Sequence, residues 1–499
     1  MLLVLEKAIE EEAKKRLARY SQEQYYKHKY AGTFGKRTGL KPKLKPHALP
    51  DAWDFHKHFD PRYCLNHSRF LACGLWSSLS DGKYTPVDAL RRTFPKPSGG
   101  ERIIDAFSIP DAAVAKIFAK NLIRRNAKAF SDASYAYQEG KTNLDAVLRL
   151  RSMIEGETIF VSQYDFTKFF DSIDHEYLRG CLSKGGEFLT TTMERTVLFA
   201  VMNHSWRDLK GASGTRTQGI PQGNSISLFL ANAAAHSLDR DLGKLSGSFA
   251  RFADDSVVIN LSYEDALKTS EAYARFSERS GVKINKTKST GIRIFSAVAC
   301  EMAHIPSFTF LSYKFTPEGL KISDRSVANI KRRCTKIMYN NLLLHLRRTG
   351  KLAKGRRGAG FVDWDLVTCV NELRRYMYGA RPQAALDAFL TGGGGIGRST
   401  GAVGYFGLLE NGEAFRELDG WLLHVLLAMY ARRMALLPKK KGKPLDEAEL
   451  LSGDWYDFPK VPMETSLPSF YTAWRAARKN FAKHGLGGVD PTGEGYGYE

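Results

Sequence analysis

The chain has 499 residues, with 74 Lys and Arg against 53 Asp and Glu and a formal net charge of +21. Hydrophobic residues make up 43% and charged residues 25%, a globular composition with room for roughly two to four domains rather than a disordered chain. The charge says nothing about fold, but it points to a polyanionic partner, a nucleic acid or an anionic membrane surface.

The start, Met1-Leu2-Leu3-Val4-Leu5, is followed at once by Glu6-Lys7 and lacks the apolar core of a signal peptide. Residues 6–30 are rich in Glu and Lys and predict a helix with one solvated side. Residues 33–50, with Gly35-Lys36-Arg37, Lys41-Pro42-Lys43 and Lys45-Pro46, predict a basic loop or extended arm. The stretch from Phe94 through Pro95-Lys96-Pro97-Ser98-Gly99-Gly100 to Arg102-Ile103-Ile104 predicts strand, Gly-rich turn and strand, and residues 110–128 have helical periodicity. Residues 158–164 are β-branched and aromatic, as a buried strand is, and run into Asp165, with a helix expected near Ser172. Residues 224–242 predict a helix with many small side chains. Residues 248–261 predict a hairpin with Ala253-Asp254-Asp255 at its turn, and a helix follows over 263–280. Residues 308–315 and 320–322 predict a further hairpin. Beyond 326 the pattern is mostly helical, with Gly-rich loops at 354–360 and 392–401 and a Gly- and Tyr-rich tail expected to be disordered.

The apolar stretch 421–430 is too short to span a bilayer and contains His424, so no membrane is expected as a partner. The six cysteines (Cys64, Cys73, Cys181, Cys300, Cys334, Cys369) form no CxxC pair. That argues against a disulfide scaffold or zinc module and predicts a reducing, cytoplasmic setting. No internal repeat is present. Charge is unevenly spread. Residues 1–150 hold 27 basic and 16 acidic residues, net +11; residues 151–325 hold 21 and 20, net +1; residues 326–499 hold 26 and 17, net +9. A polymerase has this distribution for a reason, since flanking elements grip phosphates around an acidic centre.

Asp165 ends a buried strand, and Asp254 and Asp255 sit at a hairpin turn. Two such strands side by side bring Asp165 and Asp254 together. Carboxylates that close need cations, and hard oxygen donors select Mg²⁺, with Mn²⁺ able to replace it. Two ions about 3.5–4 Å apart are the usual device for in-line nucleotidyl transfer. Taken alone, an Ala-Asp-Asp turn is more often only a turn, because Asp is a turn residue.

The surrounding motifs decide between these readings. Tyr164-Asp165-Phe166-Thr167-Lys168-Phe169-Phe170-Asp171-Ser172-Ile173-Asp174-His175 resembles the first palm motif of bacterial reverse transcriptases, and Gln218-Gly219-Ile220-Pro221-Gln222-Gly223-Asn224-Ser225 resembles the second. Arg251-Phe252-Ala253-Asp254-Asp255 resembles the third, residues 281–289 the fourth, and residues 310–315 the primer grip. Pro95-Lys96-Pro97 through Arg102 resembles the first fingers motif. The order and spacing are those of the family over roughly residues 90–340.

The resemblance implies an α+β right-hand polymerase with an antiparallel palm sheet and helical N- and C-terminal extensions. Residues 1–89 would be a basic helical extension, 90–325 the fingers and palm, and 326–499 the thumb and C-terminal extension. The activity implied is RNA-directed DNA synthesis from dNTPs by two Mg²⁺ ions, giving cDNA. Asp165, Asp254 and the backbone carbonyl of Phe166 would hold the ions, and Asp255 would support them. Phe170 would be a steric gate against the ribose 2′-OH; from aromatic spacing alone it reads as a core residue. Gln222 and Gly223 would approach the incoming nucleotide, although Pro-Gln-Gly also reads as an ordinary turn before a helix. Lys96, Arg102 and Lys288 would meet its phosphates; a solvated basic hairpin and a Lys-rich loop are the plainer readings. Lys331, Arg332 and Arg333, with Lys336, would lie along the template–primer duplex, where a solvated helix face is the alternative.

There are departures. Phe252 stands where many relatives have Tyr. Gln138 in Tyr135-Ala136-Tyr137-Gln138-Glu139-Gly140 replaces an expected Arg, which puts that template or nucleotide contact in doubt. Gly140-Lys141-Thr142 is not a Walker A loop, since the required glycine is Tyr135. Gly395-Ile396-Gly397 follows no convincing strand, which argues against a dinucleotide fold. Residues 404–437 resemble the helical part of group II intron thumbs, and no nuclease or RNase H motif follows. Chains of this design resemble the free-standing, defence-associated reverse transcriptases. That implies an antiphage role, a dedicated noncoding RNA as template or scaffold, and oligomerisation in some members. Some start DNA on their own side chain, for which Tyr496 and Tyr498 are the candidates here. Two other readings stay open. One is an untemplated or protein-primed DNA polymerase; the other is a non-catalytic, intron-maturase-like RNA-binding protein.

Overall fold

The computed structural model describes residues 1–38 (33–38 by backbone only), 49–95, 100–154, 159–296, 298, 302–352, 363–379, 381–437, 445–456, 463–491 and 493. The chain divides into two compact units. The first comprises Met1–Tyr26, Lys45–Lys141 and Leu148–Ile305, and the second Lys27–Leu44, Thr142–Val147 and Pro306–Glu499. The division at 305/306 falls inside the segment expected to be one domain over 90–325.

Two sheets organise the first unit. The strands are β1 (Ala89–Pro95), β2 (Glu101–Ala106), β3 (Ile159–Tyr164), β4 (Ser205–Arg207), β5 (Ser213–Thr215), β6 (Gly247–Phe252), β7 (Asp255–Asn260), β8 (Gly291–Phe295) and β9 (His304–Ile305). One sheet has the order β2-β1-β4-β5 and the other β6-β7-β3-β8-β9. The larger sheet is antiparallel apart from the two-residue edge strand β9, which runs parallel to β8. Its centre, β3, pairs with β7 on one side and β8 on the other. Both neighbours satisfy its backbone, so its side chains can be apolar on both faces.

The helix Tyr263–Ser280 packs on β3 and β7. Ser262 caps its start by accepting from the Asp265 N–H, and Gly281, at φ 73°, ends it. Ala266, Ala272, Tyr273 and Phe276 form its buried face. Helix Ser225–Leu242 is buried nearly all round, and its small residues Ala231, Ala233, Ala234 and Ala235 allow close packing. These helices, with Ile109–Arg125, close one continuous core in this unit.

The first helix runs over Leu2–Thr38, so residues 33–38 are helical rather than loop. No proline interrupts the chain before Pro42, and each glycine inside a helix costs only about 1 kcal/mol relative to alanine. Residues 39–48 and the Gly-rich stretch 354–360 lie outside the described residues.

In the second unit, β10 (Phe308–Phe310), β11 (Tyr313–Thr316) and β12 (Gly319–Ile322) form a three-stranded antiparallel meander. The stretch expected as a single strand over 308–315 is broken at Leu311 and Ser312, whose φ of 49° and 71° turn the chain back. Tyr313 donates to the Tyr405 carbonyl at 2.5 Å and Tyr405 to the Leu311 carbonyl at 2.9 Å, tying the meander to the turn at Gly404–Phe406. Helices Asp324–Leu342, Trp364–Tyr378, Glu413–Ala435 and Phe470–His484 make up most of the rest. Arg433 is buried among them. It bonds Asp363 at 2.8 and 3.0 Å, Asp365 at 2.8 Å and the Leu342 carbonyl at 2.8 Å. Among the described residues no helix is long and apolar enough to cross a membrane.

Arg433→Ala removes the buried cation that binds both Asp363 and Asp365. It is expected to destabilise the second unit by about 3–5 kcal/mol, read as a lowered urea midpoint.

Candidate active site

Strand register assembles the candidate site. Tyr164 lies opposite Ser256, so Asp165, one residue past the end of β3, falls beside the start of β7, where Asp255 stands. β6 and β7 are joined by a two-residue loop, Ala253-Asp254, closed by the Phe252–Asp255 pair. Tight hairpin loops of this length need positive φ, and Ala253 adopts φ 59°. A non-glycine residue there costs about 1–3 kcal/mol, and the surrounding structure must impose it.

Arg251 imposes it. Its side chain is 1% exposed. It grips Asp239 with Nε at 2.7 Å and Nη2 at 2.6 Å, and it donates from Nη1 to the Ala253 carbonyl and from Nη2 to Ser134 Oγ, both at 2.8 Å. Its backbone pairs with Ala133 and Tyr135 at 2.9 Å. One guanidinium therefore fixes the hairpin turn to helix Ser225–Leu242 and to the segment 133–135. Sequence reasoning quoted Arg251 within the third motif but gave it no role, and it passed over Asp239. The available signal was an arginine inside a strand that otherwise reads as apolar.

Asp165 is held from residues 281–289. Its N–H donates to Ser289 Oγ at 3.1 Å, and its carbonyl accepts from the Asn285 N–H at 2.7 Å. Its carboxylate Oδ2 accepts from Asn285 Nδ2 at 3.1 Å and lies 3.7 Å from Lys288 Nζ. Asn285, inside the fourth motif, is a third residue to which sequence reasoning gave no role. Phe166 bridges Ile284 through the Asp165 carbonyl and the Thr167 N–H, a pairing that does not use the Phe166 carbonyl.

Burial raises Asp254 above the usual carboxylate range, and the charge of Asp165 raises it further, while Arg102 opposes the shift. Arg102, exposed on β2, is thus within electrostatic reach of the site. Asp255 is exposed at the start of β7, beside Asp254 and the end of β3. Lost hydration, then the charges of Asp254 and Asp165, push it up to about 7. Crowded acids of this kind favour a bound cation. Among the described residues no group of three or more His, Cys, Asp or Glu is arranged to hold a metal by itself. The donor chemistry nevertheless suits Mg²⁺, which is commonly held by one or two carboxylates with substrate phosphates and water completing its shell.

The 218–223 loop lies against the segment that follows Asp165. The Ile220 N–H donates to the Phe170 carbonyl at 2.7 Å and the Gly219 N–H to the Ile173 carbonyl at 2.8 Å. Gly219 has φ 73°, and a Cβ there would stand 2.6 Å from the Phe170 carbonyl oxygen, so the close approach requires glycine. Gln222 is half-buried and Gly223 exposed. Phe170 is half-buried, with its ring 5.8 Å from that of Phe169. Gln138 turns its amide back onto the Ser134 carbonyl at 2.7 Å.

Other expected site residues lie in the second unit or outside the described residues. Lys331, Arg332 and Arg333 lie on helix Asp324–Leu342 of the second unit. Lys331 stands 5.5 Å over the Trp421 ring, Arg332 donates to Asn329 at 2.8 Å, and Arg333 is exposed. Lys96, Tyr496 and Tyr498 lie outside the described residues.

Residues 94–315 match the family model described as reverse transcriptase (RNA-dependent DNA polymerase). This segment is a reverse transcriptase domain. Parts of the chain are also similar to solved telomerases. That of Candida tropicalis truncated from its C-terminal domain has 12% identity and a TM-score of 0.38, with 52% of this chain and 60% of that one covered. That of Candida albicans in complex with a fragment of telomeric RNA has 10% identity and 0.39, with 75% and 65% covered. The C. tropicalis enzyme in the corresponding complex has 13% and 0.37, with 73% and 62%. The chain thus spans 60–65% of the length of these telomerases, and at such distance nothing about activity is carried across. No curated protein matches the chain.

Asp239→Ala in the reverse transcriptase domain leaves Arg251 buried and uncompensated; a loss of about 3–5 kcal/mol is expected in denaturant unfolding. Asp255→Asn should act in the opposite direction. Its raised folded value means that the native state holds the proton more tightly than the unfolded chain. The stabilising contribution is full below the unfolded carboxylate value of about 3.9 and is lost as pH rises through about 7. In EDTA, Asp255→Asn should therefore be more stable than wild type at pH 8, and the difference should vanish near pH 4.

Proposed function

We propose that the chain is an RNA-directed DNA polymerase that extends a primer with dNTPs on an RNA template. The observation that carries the reading is the placement of Asp165 beside the Ala253-Asp254-Asp255 turn within a matched reverse transcriptase domain. Asp165 and Asp254 would hold Mg²⁺ with the Phe166 carbonyl, and Asp255 would support the second position. When bound, the ions supply charge neutralisation at the phosphoryl centre and lower the pKa of the attacking hydroxyl. The chain's own residues do the remaining work. Asn285 orients the Asp165 carboxylate. Arg102 and Lys288, with Lys96, offer positive charge to a triphosphate. Gln222 and Gly223 form one wall of the nucleotide site and Phe170 another, where a ring obstructs a 2′-hydroxyl.

In this reading residues 90–325 act as fingers and palm, 326–499 as thumb and C-terminal extension, and 1–89 as a basic extension. Lys331, Arg332 and Arg333 contact duplex phosphates. The motif pattern further supports a defence-associated bacterial enzyme that copies a dedicated noncoding RNA, with oligomerisation as in some relatives, and the scattered cysteines support a cytoplasmic setting. One observation favours a second reading, an untemplated or protein-primed polymerase. Gln138, where relatives place an arginine, directs its amide into its own backbone and is removed from template contact. Sequencing the DNA product separates the two, since a sequence not complementary to any bound RNA supports the second.

Primer extension on an RNA template tests the main reading. Asp254→Asn should lower incorporation by about 10³-fold or more, equivalent to several kcal/mol of lost transition-state stabilisation. Equal synthesis by both proteins would remove the metal-binding assignment.

A further inference from the structure

Asp105 belongs to none of the motifs above, yet it is fully buried on β2 and draws on three other segments. Arg91 of β1 binds it with Nε at 2.7 Å and Nη2 at 2.9 Å. His204 Nε2 faces its Oδ2 at 3.1 Å, and Arg216 Nη2 reaches the same oxygen at 2.8 Å. Burial alone would favour the neutral acid, but the hydrogen bonds from His204, Arg91 and Arg216 outweigh it and hold the carboxyl well below the usual range.

Arg216 extends the connection toward the nucleotide site. Its other terminal nitrogen, Nη1, lies 3.3 Å from the Gln218 carbonyl and 3.9 Å from Asp171 Oδ1. Asp171 follows Phe170 directly. Gln218 in turn donates to the Ser172 carbonyl at 3.0 Å, and the Phe170 carbonyl accepts from Ile220. On the far side of the loop, a Cβ on Gly223 would lie 3.2 Å from Ile104 and 3.8 Å from the Asp105 carbonyl oxygen. β2 is thus the wall behind the Gln222-Gly223 turn. A single planar guanidinium links this wall, the loop and the acid next to Phe170. A lysine ammonium lacks the fork to hold all three.

We propose that Asp105 and Arg216 are positioning residues that set the separation between Phe170 and the Gln222-Gly223 turn, and thereby the discrimination between deoxyribo- and ribonucleotides. The inference deepens the polymerase reading and rests on it. Exclusion of a 2′-hydroxyl by a ring is steric, so it depends steeply on the width of the gap. Small displacements by residues away from the reacting atoms change rates strongly.

The test is single-nucleotide incorporation by the full chain, reading kcat/KM for a dNTP and for the matching NTP. Arg216→Gln should lower the dNTP-to-NTP ratio by about tenfold. Asp171→Asn, at a half-exposed position and removing only the more distant contact, should lower it by about two- to threefold. Combined with Phe170→Val, the effect of Arg216→Gln should be much less than additive, because both act on one gap. A purely structural role lowers both efficiencies together and leaves the ratio at the wild-type value, and that result overturns the proposal. If Arg216→Gln does not fold, the ratio for Asp171→Asn decides alone. Wild-type protein that incorporates no dNTP overturns the polymerase reading itself, an outcome distinct from an active enzyme with an unmoved ratio.

Discussion

The Arg251–Asp239 pair is the constraint on which the candidate site depends. The Ala253-Asp254 turn carries a strained alanine and, with Asp255 at the start of β7, two crowded acids, an arrangement that does not hold itself together. Arg251 supplies what is missing. It satisfies the Ala253 carbonyl inside the protein, where an unpaired acceptor would be costly. Its own charge, wholly removed from water, is matched by a bidentate carboxylate from helix Ser225–Leu242. That helix is capped by Asn224, immediately after the Gln222-Gly223 turn. One ion pair therefore references the Ala253-Asp254 turn and the loop that carries Gln222 and Gly223 to the same rigid element.

A buried ion pair is a weak way to add stability, because desolvation offsets most of the Coulomb gain. Its use here is better understood as specification of geometry. An apolar pair of similar volume would fill the space but would leave the Ala253 carbonyl and Ser134 Oγ without these bonds, and the turn free to relax from φ 59°. The same logic applies to Asp105, where one carboxylate fixes β1, the His204 segment and Arg216 relative to β2. Polar clusters of this kind have few alternative arrangements that satisfy every member, whereas apolar packing has many.

Much of this was legible in the sequence, for local reasons. β3 announces itself by a β-branched and aromatic run ending in Asp165. The hairpin shows itself by apolar residues flanking Ala253-Asp254, and helix Tyr263–Ser280 by Ser262 before it and Gly281 after it. These signals lie within one element, where propensity, capping and period act. The pairs that were missed are not local. Asp105 and Arg216 are 111 residues apart, and Ser134 and Arg251 are 117 apart. Neither leaves a periodicity or spacing in the chain. Asn285 was missed for another reason. It lies in a Lys-rich stretch whose nearby Lys288 attracted the functional reading, although the amide is at 3.1 Å from Asp165 and the ammonium at 3.7 Å.

The buried pairs also sharpen the meaning of the charge. Arg251, Arg433, Arg91 and Arg216 are matched in the interior by Asp239, Asp363, Asp365 and Asp105. Four cations and four anions cancel, so the formal surplus of +21 is carried entirely by the remaining side chains. Charge that reaches solvent acts over a distance of about 8–10 Å at ordinary ionic strength and draws in a phosphate backbone without regard to its sequence or sugar. Selection between nucleotides cannot come from that surplus. In the proposed reading it comes from the short-range groups around Asp165, Phe170 and the Gln222-Gly223 turn, the parts of the domain that the buried arginines hold in place.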